Sequence, residues 1–188
     1  MSENGTTASQ GGAPREEPAI SRVDGRLVIS GALIHLANTG VVEAQLMLAK
    51  IHRDPHPQLH DMDKALRWLS AAAARGHTGA QLELGTIHLS GDGIPADPEK
   101  ATQFYCDAAL GGDPEGAYRL GMMFYLGKEI DSDWVSAHAW FSLAAELGRR
   151  DVKTALKNIK KKLSRDEKTE ADALLLTLKK LRAADGAM

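Results

Sequence analysis

Three histidines of the chain are spaced so that they could bind a metal ion. His52, His56 and His60 follow one another at intervals of four, which on a continuous helix would place them on one face. Imidazole nitrogens gathered in this way are common zinc ligands. However, Pro55 and Pro57 interrupt any helix here, because proline removes a backbone donor and clashes with the preceding turn. We therefore interpret the segment as a polar loop between helices, and we predict neither a metal site nor a cofactor.

Two further features could suggest catalysis, and each lacks an essential part. Cys106 lies in a helical pattern with no histidine in its stripe to activate the thiol, so we interpret it as a small residue in a tight contact. The loop Gly91-Asp92-Gly93 lacks the downstream glycine and lysine of a phosphate-binding loop. The sequence therefore predicts no catalytic residue. A hydrolase with an unrecognised site is kept only as the last of three alternative functions.

The chain repeats itself every 36 residues, and this period predicts the elements that position its side chains. The glycines of the period are Gly40, Gly76, Gly112 and Gly148. The other columns with this spacing are Leu48, Leu84, Leu120 and Leu156; Asp61, Asp97 and Asp133; Ala65, Ala101 and Ala137; and the aromatic column Trp68, Phe104 and Trp140. So many matching columns indicate stacked copies of one supersecondary unit.

Each period carries the signals of two helices. In the second repeat, Asp97 is a suitable N-cap, Pro98 fits the first helical position and Gly112 follows the helix end. Small residues recur at steps of three and four, so that neighbouring helices can approach closely, and we expect the aromatic column to be buried between paired helices. No sheet is predicted, and Val23–Ile29 is interpreted as the lead-in to the first helix rather than as a hairpin.

The predicted fold class is all-α: a right-handed α-solenoid of paired antiparallel helices with a 36-residue repeat and helical caps. We predict a disordered tail over residues 1–22, a capping helix over 23–39, three repeats over 40–75, 76–111 and 112–148, and basic capping helices over 149–188. The tail is predicted because its few large apolar residues cannot offset the entropy of ordering it.

Composition sets the class of protein. The chain has 188 residues and a net charge of −2, so it does not work by covering nucleic acid with positive charge. Its single cysteine excludes an internal disulfide. The most apolar run, Leu27–Asn38, is shorter than the roughly 20 residues that a membrane-spanning helix needs. No secretory signal opens the chain, and we expect a cytoplasmic protein without a transmembrane segment.

The repeated segments resemble the Sel-one-like repeat, a relative of the tetratricopeptide repeat. The matching motifs are Leu84-Gly85 in the first helix, Gly91-Asp92-Gly93 in the loop, Asp97 with Lys100-Ala101 at the start of the second helix, and Ala108 to Gly112 at its end. The resemblance covers roughly residues 40–156, and phrases such as AHAWFSLAAELG are similar to bacterial members. It implies a non-catalytic scaffold or adaptor that docks an unidentified protein partner.

The first helix of each repeat is apolar on two sides. One side packs within the solenoid, and in tetratricopeptide relatives the other side lines a binding groove. The candidate partner-binding residues are Leu46, Lys50, Leu82, Leu89, Tyr118, Met122 and Tyr125. The alternative is that these side chains only contact the adjacent repeat.

The carboxyl end suggests a different function. Residues 149–188 contain 12 basic and six acidic residues. The possible anionic-ligand patch consists of Arg149, Arg150, Lys153, Lys157, Lys160 and Lys161. It would bind a nucleic acid or an acidic surface, although the solvated face of a capping helix explains it more simply. Nucleic acid is disfavoured, because no aromatic residue follows Phe141 to stack on a base.

The amino end offers a third surface. The segment Leu27–Asn38 is apolar nearly all round, whereas a terminal helix has a neighbour on one side only. We therefore expect part of it to stay exposed and to contact either a second copy of the chain, as a homo-oligomer, or the partner.

Overall fold

A computed structural model describes residues 18–128 and 130–185, which form nine helices and one short hairpin. The strands are β1 (Ile20–Val23) and β2 (Arg26–Ile29), and the helices are α1 (Gly31–Asn38), α2 (Val42–Arg53), α3 (Met62–Ala73), α4 (Thr78–Ser90), α5 (Pro98–Leu110), α6 (Pro114–Leu126), α7 (Trp134–Glu146), α8 (Lys153–Lys162) and α9 (Arg165–Asp185). The predicted all-α class is confirmed. Residues 1–17 of the predicted tail lie outside the described residues.

The central helices form three pairs, α2 with α3, α4 with α5 and α6 with α7. Each pair packs on the next, because α3 contacts α4 and α5 contacts α6. Ala65, Ala101 and Ala137 in the second helices are completely buried, so these helices lie close to their neighbours. The result is the predicted α-solenoid, in which each unit buries its apolar face against the adjacent units.

The aspartate column begins the second helix of each repeat. The carboxylates of Asp61 and Asp97 accept hydrogen bonds from the backbone N–H groups of Lys64 and Lys100, each at 3.0 Å. Asp133 accepts from the Val135 N–H at 2.9 Å. Each aspartate satisfies a backbone donor that the first turn of a helix leaves without a partner. The period of 36 residues therefore fixes where α3, α5 and α7 start.

The completely buried aromatic rings lie one residue after the predicted aromatic column of Trp68, Phe104 and Trp140. Tyr105 and Phe141 have no exposed surface, whereas Trp68 and Phe104 are only half-buried. Trp140 is buried, as the aromatic column predicts. The expectation of buried rings was therefore wrong for Trp68 and Phe104.

Two glycines in the first helices explain this difference. A Cβ atom on Gly85 would lie 2.5 Å from Cε1 of Tyr105, and one on Gly121 would lie 2.6 Å from Cδ1 of Phe141. Such distances are much shorter than a van der Waals contact. The two rings therefore lie directly on the backbone of the first helices, where only glycine leaves them room.

The amino end is a β-hairpin followed by a short helix, which corrects the predicted capping helix over 23–39 and the tail boundary at residue 22. The strands pair antiparallel and are joined by Asp24 and Gly25, at φ 49° and 79°. An Asp-Gly pair with two positive φ angles is a preferred two-residue hairpin turn. Val28 and Ile29 are β-branched, which suits a strand. The local preference for a hairpin therefore outweighs the helical period at this end.

The 36-residue repeat does not continue through α8, because a lysine there replaces the glycine of the earlier first helices. Lys157 takes the position that Gly85 and Gly121 have in the earlier first helices, and its side chain is exposed. A ring packed over this position would bury a charge without a partner, which is costly. Helix α9 packs instead on α7 and α5, where it buries Ala171 and Leu178.

A half-buried histidine makes the stability of this fold depend on pH. The His88 ring stacks on Phe104 with 5.5 Å between the ring centroids, and its buried Nδ1 has no hydrogen-bond partner in the described part of the chain. Burial disfavours the charged imidazole, and the nearby Lys100 adds to this effect, while Asp97 opposes it. The pKa of His88 is therefore lowered.

We expect the free energy of unfolding to fall as the pH drops below about 6.5, the pKa of an unperturbed histidine. The unfolded chain then binds a proton that the folded chain excludes at His88, so acid favours unfolding. Replacing His88 with phenylalanine, as at Phe124 one repeat later, should reduce the slope between pH 7 and pH 5, and the share of His138, whose pKa burial also lowers, should remain. Urea denaturation at a series of pH values measures this slope, and an unchanged slope in His88→Phe would contradict the prediction.

Candidate functional site

The first helices of the repeats form a surface with two cavities. We define the first-helix surface as the accessible part of α2, α4 and α6 that lines these two cavities. A cavity of about 290 Å³ lies beside α2 and α4. A second cavity of about 280 Å³ lies beside α4 and α6.

The second cavity has apolar walls and a charged rim. Its accessible lining residues are Leu89, Glu115, Tyr118, Arg119, Met122 and Leu126, with the buried Tyr105 and Met123 behind them. The structure thus brings together three of the predicted partner-binding residues, Leu89, Tyr118 and Met122. Leu126 is 46% exposed although it is a large apolar side chain, so apolar surface is open to solvent at this position. Such a cavity suits an apolar side chain with a polar group beside it.

Arg119 links the two cavities. Its Nε donates to Glu115 at 2.7 Å, and its Nη1 donates to the hydroxyl oxygens of Thr86 at 3.1 Å and Tyr105 at 3.3 Å. Burial opposes the charged form, but the hydrogen bonds to Tyr105 and Glu115 outweigh it and raise the pKa of Arg119. This side chain therefore ties α6 to α4 and α5, and it stays charged.

A similar ionic contact joins α2 to α4. Arg53 donates to Glu83, and its Nη2 lies 3.3 Å from the Asp92 carboxylate. Both acidic residues are partly exposed, and pairs of this kind contribute little to stability. Their effect is to order the polar side chains around the first cavity.

The predicted residue Tyr118 is held between an aromatic ring and an arginine. Its ring centroid lies 5.8 Å from that of Phe141, and the Arg149 guanidinium carbon is 3.6 Å from the Tyr118 centroid. Arg149 also donates to Glu115, and its Nε donates to Asp151 at 2.8 Å. Hydrogen bonds to Asp151 and Glu115 raise the pKa of Arg149 although partial burial opposes the rise. The Tyr118 ring is thereby fixed in place.

The other predicted partner-binding residues lie apart from the second cavity. Leu82 lines the first cavity, beside Arg53 and Glu83. Leu46 is half-buried against the core between α3 and α4, and Lys50 is exposed. Tyr125 packs edge-on against Phe141, with 6.3 Å between the centroids, and it lines neither cavity. Tyr118 and Tyr125 therefore both pack on the buried ring of Phe141, in addition to any contact at the surface.

Glu115 and Arg119, the charged residues at the rim of the second cavity, were not among the residues predicted from the sequence. One signal was available, because Glu115 and Arg119 are four residues apart on one helix face and can form an ion pair. The pairing of Glu115 with Arg149 joins residues 34 positions apart, and no local pattern indicates it.

The basic residues of the carboxyl end fall into two groups. Arg149 is removed from the predicted patch by its contacts with Glu115, Asp151 and Tyr118. The exposed members are Arg150, Lys153, Lys157, Lys160 and Lys161. Within residues 18–128 and 130–185, none of these five has an ion-pair partner.

His52, considered above as a metal ligand, and Cys106, considered as a nucleophile, both lie in packed parts of the fold. His52 is buried, and its Nδ1 lies 3.1 Å from the Leu59 carbonyl oxygen, to which it donates. Burial raises the pKa of the Cys106 thiol, and the charge of Asp107 adds to this rise. In the part of the chain that the structure describes, no three His, Cys, Asp or Glu side chains are grouped to hold a metal ion.

No helix among the described residues is long and apolar enough to cross a membrane.

The stacked helix pairs and the surface of their first helices define an α-solenoid repeat protein. A Sel1 repeat family model matches residues 42–77, 78–113 and 114–148, which together make up more than half of the chain. The chain therefore belongs to the Sel1 repeat family. Proteins of this family are generally non-enzymatic scaffolds for protein interactions.

Three of the solved structures that are similar to this chain illustrate the match. A Sel1 repeat protein from Oxalobacter formigenes is 31% identical with a TM-score of 0.59, and the match covers 68% of this chain and 96% of that one. A protective antigen with this fold from uropathogenic Escherichia coli is 29% identical with a TM-score of 0.66, covering 81% of this chain and 33% of that one. Cysteine-rich protein B of Helicobacter pylori, at 23% identity, a TM-score of 0.51 and coverage of 66% and 90%, shares the fold. A comparison with curated proteins found no match.

Proposed function

We propose that the protein is a non-catalytic adaptor that docks a segment of a partner protein on its first-helix surface. The observation that carries this proposal is the 280 Å³ cavity, where Leu89, Met122 and Leu126 lie beside the charged pair of Glu115 and Arg119. An apolar side chain of the partner would be buried against the apolar walls. The polar groups around it would meet the charges at the rim, as in the centre and rim of known interfaces.

The fixed position of Tyr118 supports this choice of surface. The ring is held by Arg149 on one side and packs against Phe141. A side chain that is already ordered loses little entropy when a partner binds. Tyrosine and arginine are also enriched among the residues that contribute most to binding.

Replacing Met122 with glutamate tests the proposal. The charge would lie in the apolar part of the cavity, and we expect the affinity for the partner to fall about tenfold or more. The partner is first recovered from the native host with the wild-type chain and identified by mass spectrometry, and its affinity is then measured directly. Far-UV circular dichroism and the melting temperature should stay near the wild-type values, because Met122 is half-buried at the surface of α6.

Gln103→Glu is the matched control, since Gln103 is exposed on α5, a second helix. It adds the same charge away from the first-helix surface and should leave the affinity unchanged. Equal affinity of Met122→Glu and wild type would contradict the proposal. Truncating Tyr118 and Tyr125 is a poorer test, because both rings pack on Phe141 and their loss would destabilise the fold.

A second candidate function rests on the exposed lysines of α8. Lys153, Lys157, Lys160 and Lys161 lie on one ten-residue helix, and no ion pair with a described carboxylate neutralises them. They would attract an anionic surface. Binding through them should weaken steeply as salt is added, because phosphate binding releases counterions, whereas docking in the apolar cavity should respond little. A salt titration of the partner complex therefore distinguishes the two functions.

A further inference from the structure

A cavity of about 490 Å³ opens at the amino end, away from the 280 Å³ cavity of the proposed docking surface. Strand β2 and helix α1 form one wall, α3 forms the opposite wall, and α2 contributes residues between them. The apolar lining residues are Ile29, Ile34, Leu48, Trp68 and Ala71. Its size falls within the roughly 300–1,000 Å³ that is usual for small-molecule sites.

The cavity exists because α1 is short. Counting back by 36 residues from α3, α1 stands where a second helix would lie, but it has eight residues where α3 has 12. Strand β2 replaces the first turn of that helix. The face of α3 that carries Lys64, Arg67 and Ala71 is therefore incompletely covered.

The charged residues of the lining are all basic. Lys64 and Arg67 line the cavity, and no carboxylate does. The Lys64 ammonium lies 2.7 Å from Asp61, which partly neutralises it. Arg67 is exposed, and among the described residues it has neither an ion pair nor a hydrogen bond through its side chain. A guanidinium without a partner at the edge of an apolar cavity is suited to bind a carboxylate.

We propose that this cavity binds a small molecule with an apolar body and a carboxylate, such as a medium-chain fatty acid. The hydrocarbon lies against Ile29, Ile34 and Trp68, and the carboxylate meets Arg67, with Lys64 beside it. The apolar body gains from leaving water, and the ionic contact orients it. This site is independent of the proposed docking surface, so the two proposals can fail separately.

Octanoate is the probe for this site. It should bind the full chain with a stoichiometry of one, measured by isothermal titration calorimetry, and should shift the indole N–H signal of Trp68 in a ¹H–¹⁵N spectrum. Octanol has the same chain without the charge, so it should bind through the apolar walls alone and its affinity should not depend on Arg67.

Two variants locate the site. Arg67→Gln should weaken octanoate binding about two- to fivefold, as expected for the loss of one exposed ion pair, while leaving octanol binding unchanged. Ala71→Phe places a ring in the cavity and should abolish binding of both probes. Ala71 is half-buried on the open face of α3, and circular dichroism checks that the variant is folded.

Arg75→Gln is the matched control, because Arg75 is an exposed cation just past the end of α3 and does not line the cavity. It should bind octanoate like the wild type. The proposal is overturned if octanoate does not bind, if Arg75→Gln weakens binding as much as Arg67→Gln does, or if Ala71→Phe is folded and still binds.

Discussion

Replacing Phe141 with alanine is expected to lower the free energy of unfolding by about 3–5 kcal/mol. The ring is completely buried in α7 and lies on the backbone of α6 at Gly121. The rings of Tyr118 and Tyr125 pack against it, so the truncation leaves a cavity that its neighbours cannot easily fill. Denaturant unfolding followed by circular dichroism measures the effect, which is a large share of the stability of an ordinary domain.

Phe104→Ala removes the same group from a half-buried position and serves as the control. Its cost should be clearly smaller, below about 2 kcal/mol. Equal losses for the two variants would show that the column of Phe141 is no more central to the core than the column of Phe104. The packing described above would then be wrong.

The second large effect is expected at Gly121. In Gly121→Ala the new Cβ atom would lie 2.6 and 2.8 Å from Cδ1 and Cε1 of Phe141. The ring is enclosed on its other sides, so relief requires the helices α6 and α7 to move apart. We expect a loss of about 1–3 kcal/mol in the free energy of unfolding, as for other overpacked cores.

Gly31→Ala is the matched control, because Gly31 is the first residue of α1 and an added Cβ atom would meet nothing within 4 Å. Alanine favours the helix, so this variant should be as stable as the wild type or gain up to about 1 kcal/mol. If Gly121→Ala were equally well tolerated, the rings would not lie on the helix backbone as tightly as the structure indicates.

Much of the fold could be predicted from the sequence because the repeat carries its own signals. The spacing of Asp61, Asp97 and Asp133 predicts three helix starts, and each carboxylate accepts a backbone hydrogen bond there. These interactions are local, and 36 residues is long enough for two helices and their turns. A pattern of this kind determines the helix pairs before any tertiary contact is known.

The choice of the buried column could not be made from the period alone. The columns containing Phe104 and Tyr105 have the same spacing and both carry aromatic residues. Which of them faces the neighbouring helix depends on how the two helices cross. The glycines Gly85 and Gly121 decide this, because each admits a ring one helix away. The aromatic residues were considered without the glycines on which they pack. The wrong column was therefore predicted to be buried in the first two repeats.

Only part of the candidate site could be predicted from the sequence, because its charged residues meet through contacts between distant parts of the chain. Leu89, Tyr118 and Met122 could be placed on one surface by counting helix turns, and the structure brings them to one cavity. Their charged neighbours depend on contacts between distant residues, such as Arg149 with Glu115. The amino-terminal cavity depends on the length of α1, which the hairpin turn at Asp24 and Gly25 determines. Contacts between distant residues leave no periodic trace in a sequence, whereas the Asp-Gly turn is a local signal that was outweighed in the prediction by the helical period.

Site-specific photo-crosslinking tests the proposed docking surface most directly. A benzophenone amino acid is placed at Leu126, at the edge of the 280 Å³ cavity, or at the exposed Gln103 on the second helix α5, which lines neither cavity. We predict that the partner is crosslinked from position 126 and not from position 103. The crosslink at 126 should also weaken strongly when Met122→Glu is added, in line with the lower affinity. Crosslinking from position 103 alone, or from both positions regardless of Met122→Glu, would contradict docking on the first-helix surface.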